Sequence, residues 1–495
     1  MDEIIFITTP LYYVNARPHI GHGYTQVAAD TLARYYRQKG KKVYFLTGTD
    51  EHGEKIFRAA REKKLAPEEF VEAGVKEFKD LWEKLNISYD RFIRTTEKAH
   101  IETVEKVLSR LYEKGLIYKG SYSGLYCVPC ESFHAQSQTE GENCPDCGRK
   151  VRELSQESYF FKLSAFKDRL LEHIDKNPRF IMPESRKNEI KGFLSNPLKD
   201  LSISRIDVEW GIQLPFNRKH TVYVWVDALL NYISAPGYIS DLNTFKKLWP
   251  ADMQLIGKDI LKFHAVIWPA MLMALELPLP RTVFAHGWWT VEGNKMSKSL
   301  GNVVDPNEVV DKWGVDAFRF FLLRQVAFGQ DGNFSKELFK ERYNSELANE
   351  LGNLLSRVLG MIEKYAPEAS PPETGEFKNE VEDTLDVIEE LYARAAFNEV
   401  LDKIWEIVRK ANSYVEEKKP WVLAKNNSRE LCAVLGDLFR MLRLIAGLIY
   451  PFMPAAAKNM LAQMGVDEEA LNTVEWKKEI NLENIKKGEP LFLKK

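Results

Sequence analysis

The chain has 495 residues and near-balanced charge, with 69 Lys and Arg against 71 Asp and Glu. That balance excludes a binder that holds polyanions through an overall positive field, and leaves a specific nucleic-acid partner open. Apolar residues make up 45% and charged residues 28%, an ordinary globular composition with no run long enough to span a membrane. The first seven residues lack a basic stretch and a cleavage site, so the chain is expected in the cytoplasm, away from membranes.

The length predicts roughly three domains at about 150 residues each. Strand and helix patterns alternate at the start: a strand at 4–8, a helix at 21–39, a strand at 43–46, then helices near 54–63, 67–85 and 97–114. From 116 to 215 the rhythm breaks. It resumes with strands at 223–226 and 253–256, a helix at 260–275, a strand at 282–285 and a helix at 306–326. Such alternation predicts an α/β fold, a parallel sheet with helices on both faces and a nucleotide at the carboxyl ends of its strands. After about 345 only helical spacing remains, as in Leu347, Leu351, Leu354 and Val358, or Leu431, Leu435, Leu438 and Leu442. This predicts a helical bundle, closed by a polar tail that packs back on the body.

Four of the five cysteines form Cys127-x-x-Cys130 and Cys144-x-x-Cys147. Two such pairs at close range suit tetrahedral Zn²⁺ held by thiolates, a closed and therefore structural site. A redox pair is the alternative, and His134 is an alternative ligand. Cys432 lies in an apolar run and is expected as a buried small hydrophobe.

His19-Ile20-Gly21-His22 follows the first strand, and Lys295-Met296-Ser297-Lys298-Ser299 lies after the strand at 282–285. Imidazoles, lysines and hydroxyls brought together make a polyphosphate site, and Gly21 lets a ligand approach the backbone. The two motifs in this order resemble the class I aminoacyl-tRNA synthetases. Further segments are similar to the methionyl-tRNA synthetase family: Thr8 to Asn15, Thr49-Asp50-Glu51-His52-Gly53, Val224-Trp225-Val226-Asp227-Ala228, Gly257-Lys258-Asp259, Phe263-His264, Asn349 to Arg357, and Lys419-Pro420-Trp421. The single complete knuckle looks like the one-zinc branch.

The resemblance implies a Rossmann-type sheet split by a zinc-containing insertion and followed by an all-α anticodon-binding bundle. Its expected segments are 1–115 and 216–290 for the two catalytic halves and 116–215 for the insertion. The loop of Lys295 and its stem contacts take 291–345, the bundle 346–465 and the tail 466–495. The implied activity is ATP-dependent activation of L-methionine, then transfer to methionine tRNA, the initiator included.

His19, His22, Lys295 and Lys298 carry the catalytic roles in this reading. Gly21, Gly257, Asp259, Met296, Ser297 and Ser299 join them around ATP and its Mg²⁺. Leu11, Tyr13, Asp50, Trp225, Ala228, Tyr232, Ile260, Phe263 and His264 are expected around methionine, with the Tyr232 hydroxyl donating to the thioether. Trp268 is a weaker candidate there. Trp288 and Trp289 are expected as core or hinge packing. Asn349, Asn353, Arg357, Pro420 and Trp421 are expected to read the anticodon, with Trp421 at a helix–loop junction. A monomer is expected. The insertion is too short for the editing domain of leucine, isoleucine or valine enzymes. No cysteine lies near either motif in sequence, as a cysteine enzyme would need. A non-catalytic zinc-and-helix tRNA-binding module would not need both lysines and both histidines. A nucleotidylyltransferase with the first motif would lack the insertion and the bundle.

Overall fold

The computed structural model describes residues 4–495 apart from 16, 128–131, 135–142, 146–147, 207, 296–303, 366–369, 427, 478 and 483. The chain opens with β1 (Ile4–Tyr13), α1 (Ile20–Gln38), β2 (Lys42–Asp50), α2 (Glu54–Glu62), α3 (Pro67–Lys84), β3 (Arg91–Arg94) and α4 (Lys98–Glu113). The central sheet has six parallel strands in the order β3, β2, β1, Met253–Gly257, Val283–His286 and Ile181–Met182. Parallel strands covered on both faces need apolar runs rather than alternation. β1 meets this with Phe6 and Ile7, both fully buried. The order reverses between β1 and Met253–Gly257: one half of the sheet grows outward from β1 through β2, the other from Met253–Gly257. That reversal opens the crevice at the carboxyl ends where α/β sheets bind ligands.

The second sheet is antiparallel and built on β4 (Ile117–Cys127), β5 (Ser132–His134) and β6 (Arg152–Phe161). β4 and β6 pair from Ile117 opposite Phe161 to Tyr126 opposite Arg152, which carries Cys127 to the far end of a long hairpin. The strand Ile181–Met182 lies within the segment that breaks the rhythm, yet it pairs with Val283–His286 at the edge of the central sheet.

Two sequence expectations change here. The run at 223–226 is not a strand. Asn217–Val222 is the strand, and Val224–Leu229 is a short helix with Val224, Val226, Asp227, Ala228 and Leu229 buried. A short apolar run buried on all sides has no period to distinguish the two forms. The helix expected over 306–326 is two helices, Pro306–Trp313 and Val315–Arg324, broken at Gly314 with φ of 90°.

The carboxyl-terminal part is all helical, with Asn353–Tyr365, Lys378–Ala393, Phe397–Lys418, Ser428–Ile449 and Pro454–Met464. The tail returns over it, where the Lys495 amide donates to Asn344 Oδ1 at 2.9 Å and the Lys487 amide to Glu363 at 2.7 Å. Arg319 joins the bundle to the sheet. Its guanidinium, fully buried, meets Asp30 of α1 at 2.6 Å and donates to the carbonyls of Leu85, Pro451 and Phe452. All three of its nitrogens are bonded and one bond is to a carboxylate, which offsets the cost of burying a guanidinium. Among the described residues no helix is long and apolar enough to cross a membrane.

Candidate active site

β1 divides its side chains between two sites because successive residues point to opposite faces. Leu11 and Tyr13 line a cavity of about 100 Å³ together with Asp50, Trp225, Ala228, Tyr232 and His264. Tyr12, between them, turns to the other side and meets the His22 ring edge-on, with centroids 5.1 Å apart.

The His19-Ile20-Gly21-His22 segment starts α1 as a capping box made of imidazoles. The Gly21 amide donates to His19 Nδ1 at 3.1 Å, and the His19 amide donates to His22 Nδ1 at 3.2 Å. Both Nδ1 atoms are therefore acceptors, so in each neutral ring the proton sits on Nε2. Burial, and then the neighbouring His19, hold the His22 imidazole well below the usual histidine range. The result is a pair of neutral N–H donors at a helix amino terminus, where the helix dipole already favours an anion. A methyl group on Gly21 would lie 3.1 Å from the His19 ring, so the glycine keeps that ring in place.

Gly257 ends the strand beside β1. A Cβ there would come within 2.5 Å of Asp259 Oδ1. Trp288, expected as packing, is 37% exposed and donates from Nε1 to Asp259 Oδ1 at 3.1 Å, while its neighbour Trp289 is buried. Lys258 lies 4.2 Å from the Trp288 ring and pairs with Asp331 at 2.6 Å. Trp288 thus ties the Gly257-Lys258-Asp259 turn to the hairpin Trp289–Val291 and Asn294–Lys295. That hairpin turns at Gly293 with φ of 81° and leads toward Met296, Ser297, Lys298 and Ser299, which lie outside the described residues.

In the cavity, Tyr232 and His264 are fixed as a pair. His264 Nδ1 donates to the Ile260 carbonyl at 3.0 Å, which leaves Nε2 as an acceptor for the Tyr232 hydroxyl at 2.8 Å. Burial holds the His264 imidazole down at about 4, so it is neutral. The Tyr232 hydroxyl therefore donates to His264 in this geometry. Phe263 and Ile260 do not line the cavity. Phe263 stacks on Trp225 at 3.9 Å and 12°, backing the wall, and Ile260 holds His264. Phe263 and His264 begin a π-helical turn, Phe263–Ile267, and Ile260 ends the short 3-10 turn before it. Trp268 is fully buried behind Tyr232, with centroids 5.7 Å apart. Pro10, Lys55, Val224, Leu229 and Asn231 complete the lining and were not singled out as contacts in the sequence. Lys55 sits 5.4 Å from the Tyr13 ring. It stands in the first turn of α2, and nothing in the sequence around it marks it as a cavity residue.

Cys127 and Cys144 are both buried and pack in one small cluster with Val151. The Gly148 amide closes a turn on the Cys144 carbonyl at 2.8 Å. Cys130 and Cys147 lie outside the described residues, as do the surroundings of His134.

In the bundle, Asn349 and Asn353 are exposed, and Arg357 reaches Glu416 at 2.6 Å across to the helix Phe397–Lys418. Trp421 follows a break of one residue between two helices. Lys419 takes a left-handed conformation with φ of 47°, and Pro420 starts a new helix, Pro420–Asn426. Trp421 lies in its first turn and is 37% exposed.

A six-stranded parallel sheet with paired imidazoles and a Gly-Lys-Asp turn across its switch point defines a class I aminoacyl-tRNA synthetase. The family described as "tRNA synthetases class I (M)" matches residues 5–156 and 149–359, and "Anticodon binding domain of methionyl tRNA ligase" matches 368–493. The chain belongs to the methionyl-tRNA synthetases. It is 51% identical to the methionine–tRNA ligase of Caldanaerobacter subterraneus subsp. tengcongensis, over 99% of this chain and 79% of that protein. It is 52% identical to that of Clostridium tetani, over 94% and 74%. Among solved structures it resembles Mycobacterium tuberculosis methionyl-tRNA synthetase in complex with methionyl-adenylate. The TM-score is 0.93 at 40% identity, covering 99% of both chains.

Proposed function

We infer that the chain activates L-methionine with ATP and transfers the methionyl group to the 3′ end of methionine tRNA, the initiator included. The observation that carries this reading is the division of β1, which sets a cavity walled by Tyr13, Trp225 and Tyr232 beside a pair of neutral imidazole donors. A methionine carboxylate oxygen attacks the α-phosphorus, the bond to the bridging oxygen breaks and pyrophosphate leaves. The protein orients the reactants and meets developing charge. His19 and His22 donate to phosphate oxygens, with Gly21 allowing close approach. Gly257 and Asp259 hold the ribose. Lys295, Met296, Ser297, Lys298 and Ser299 form the loop that closes on the β and γ phosphates. Mg²⁺ enters with ATP and offsets phosphate charge.

Asp50 pairs with the methionine ammonium, and Leu11, Tyr13, Trp225, Ala228, Tyr232 and His264 enclose the side chain, with Ile260 and Phe263 supporting them. A flexible thioether packs well against rings and gains sulfur–aromatic contacts. Cys127, Cys130, Cys144 and Cys147 would hold one Zn²⁺, which supplies structural closure of the hairpin end. The burial of Cys127 and Cys144 in one cluster fits such a site. Asn349, Asn353, Arg357, Pro420 and Trp421 form the anticodon face. The segments 1–115, 116–215, 216–290, 291–345, 346–465 and 466–495 keep the roles assigned above, in a cytoplasmic monomer. The test is exchange of pyrophosphate into ATP, expected with methionine and far weaker with leucine, isoleucine or cysteine.

A further inference from the structure

Asp227 is an ionised carboxylate with 1% exposure, held between two imidazoles. His52 Nδ1 lies 2.7 Å from Oδ2 and His100 Nε2 lies 2.7 Å from Oδ1. Burial alone would push the carboxyl up, but His52 and His100 outweigh it and hold it at about 2. Both imidazoles must donate, since a carboxylate only accepts. That fixes their protons: Nδ1–H on His52 and Nε2–H on His100. On its other side, His100 Nδ1 is hydrogen-bonded to the Ser234 hydroxyl at 2.7 Å.

The three arms of this network end on the segments that line the cavity. His52 follows Asp50 by two residues at the end of β2. Asp227 shares its helix with Trp225 and Ala228, which line the cavity. Ser234 shares the short helix Asn231–Ser234 with Tyr232 and Asn231. His100, from α4, is the fixed post between them. Asp227, His52, His100 and Ser234 themselves do not line the cavity.

We propose that Asp227 is a positioning residue for the methionine pocket: through His52, His100 and Ser234 it sets the mutual placement of Asp50, Trp225 and Tyr232. The proposal rests on the reading of this cavity as the methionine site. The brace holds the walls of the amino-acid pocket and not the imidazole pair on the other side of β1. Its loss therefore acts on methionine and spares ATP.

The test is steady-state pyrophosphate exchange by the full chain, titrating methionine and ATP separately. Asp227→Asn preserves shape but removes the charge that both imidazoles donate to, a bond class whose loss corresponds to about tenfold or more in binding. The methionine KM should rise by about that factor, with ATP KM and kcat at saturating methionine within about twofold of the starting protein. Ser234→Ala deletes one hydroxyl and should raise the methionine KM severalfold in the same selective way. It decides the matter if Asp227→Asn does not fold. Asp50→Ala is the control for the pocket itself. If Asp50→Ala leaves the methionine KM unchanged, the cavity is not the methionine site. If it raises the KM while neither Asp227→Asn nor Ser234→Ala does, or if these change methionine and ATP constants together, the brace is overturned and the pocket stands.

Discussion

The rings of His19 and His22 stack on one another, with centroids 3.7 Å apart and planes inclined by 23°. Two protonated imidazoles would repel at this distance, and the backbone amides on both Nδ1 atoms favour the neutral forms. The pair therefore works as donors without carrying charge into the ground state. The charge they meet develops on the phosphates during transfer.

This separates two roles of His19. His19→Asn offers a side-chain oxygen to the α1 amide and keeps the cap, whereas His19→Ala loses it, at about 1 kcal/mol of stability. Both variants lose the Nε2 donor, and both should lower the kcat of exchange by about 10²-fold or more. Thermal denaturation and exchange kinetics on the two proteins check this. Only His19→Ala should melt lower.

The Tyr232–His264 pair gives a pH dependence. The unfolded chain takes up the His264 proton near 6.5, the folded chain only near 4. The unfolded state therefore binds more protons between these values, and stability falls as pH falls from about 6.5 toward 4. The contribution is of the order of 3 kcal/mol. His264→Gln should remove that part of the acid-side decline in melting temperature. Tyr232→Phe leaves Nε2 without its donor and should raise the methionine KM.

Trp421 presents its ring from the first turn of a helix, and an unstacked base can lie on such an indole for about 1–3 kcal/mol. Trp421→Ala should raise the KM for tRNA about tenfold while exchange, which needs no tRNA, stays unchanged. A shared loss of exchange and melting temperature would make the ring a packing residue.

The cysteine cluster should hold one Zn²⁺ per chain in freshly purified, unchelated protein, measured by elemental analysis. Cys127→Ser should lower that content and loosen the hairpin end first, read as faster proteolysis within 116–215. Aminoacylation should suffer more than exchange.

Much of this was legible in the sequence because it is local. Strand β1, helix α1 and the imidazole motif between them follow from apolar runs and spacing over a few residues. Leu11, Tyr13, Asp50, Trp225, Ala228, Tyr232 and His264 came through resemblance and do share one cavity. Phe263 and Ile260 also came through resemblance; Phe263 stacks on Trp225 behind the wall and the Ile260 carbonyl holds His264, contacts that spacing does not show. The strand reading at 223–226 failed because a short run buried on every side carries no period. Lys55 and the bond from Trp288 to Asp259 depend on how distant turns meet. The Asp227 network is the extreme case. Its partners lie 175 and 127 residues away, and nothing in a one-dimensional pattern pairs them.

The central claim is that the cavity beside the paired imidazoles selects methionine for activation by ATP. Pyrophosphate exchange into ATP, run with the purified protein and each amino acid in turn, tests it most directly. Methionine should support exchange that outruns leucine, isoleucine and cysteine. Homocysteine, one methyl shorter, should be a poor but measurable substrate, since one such group is worth only about 1–3 kcal/mol. Exchange with leucine equal to that with methionine would contradict the account.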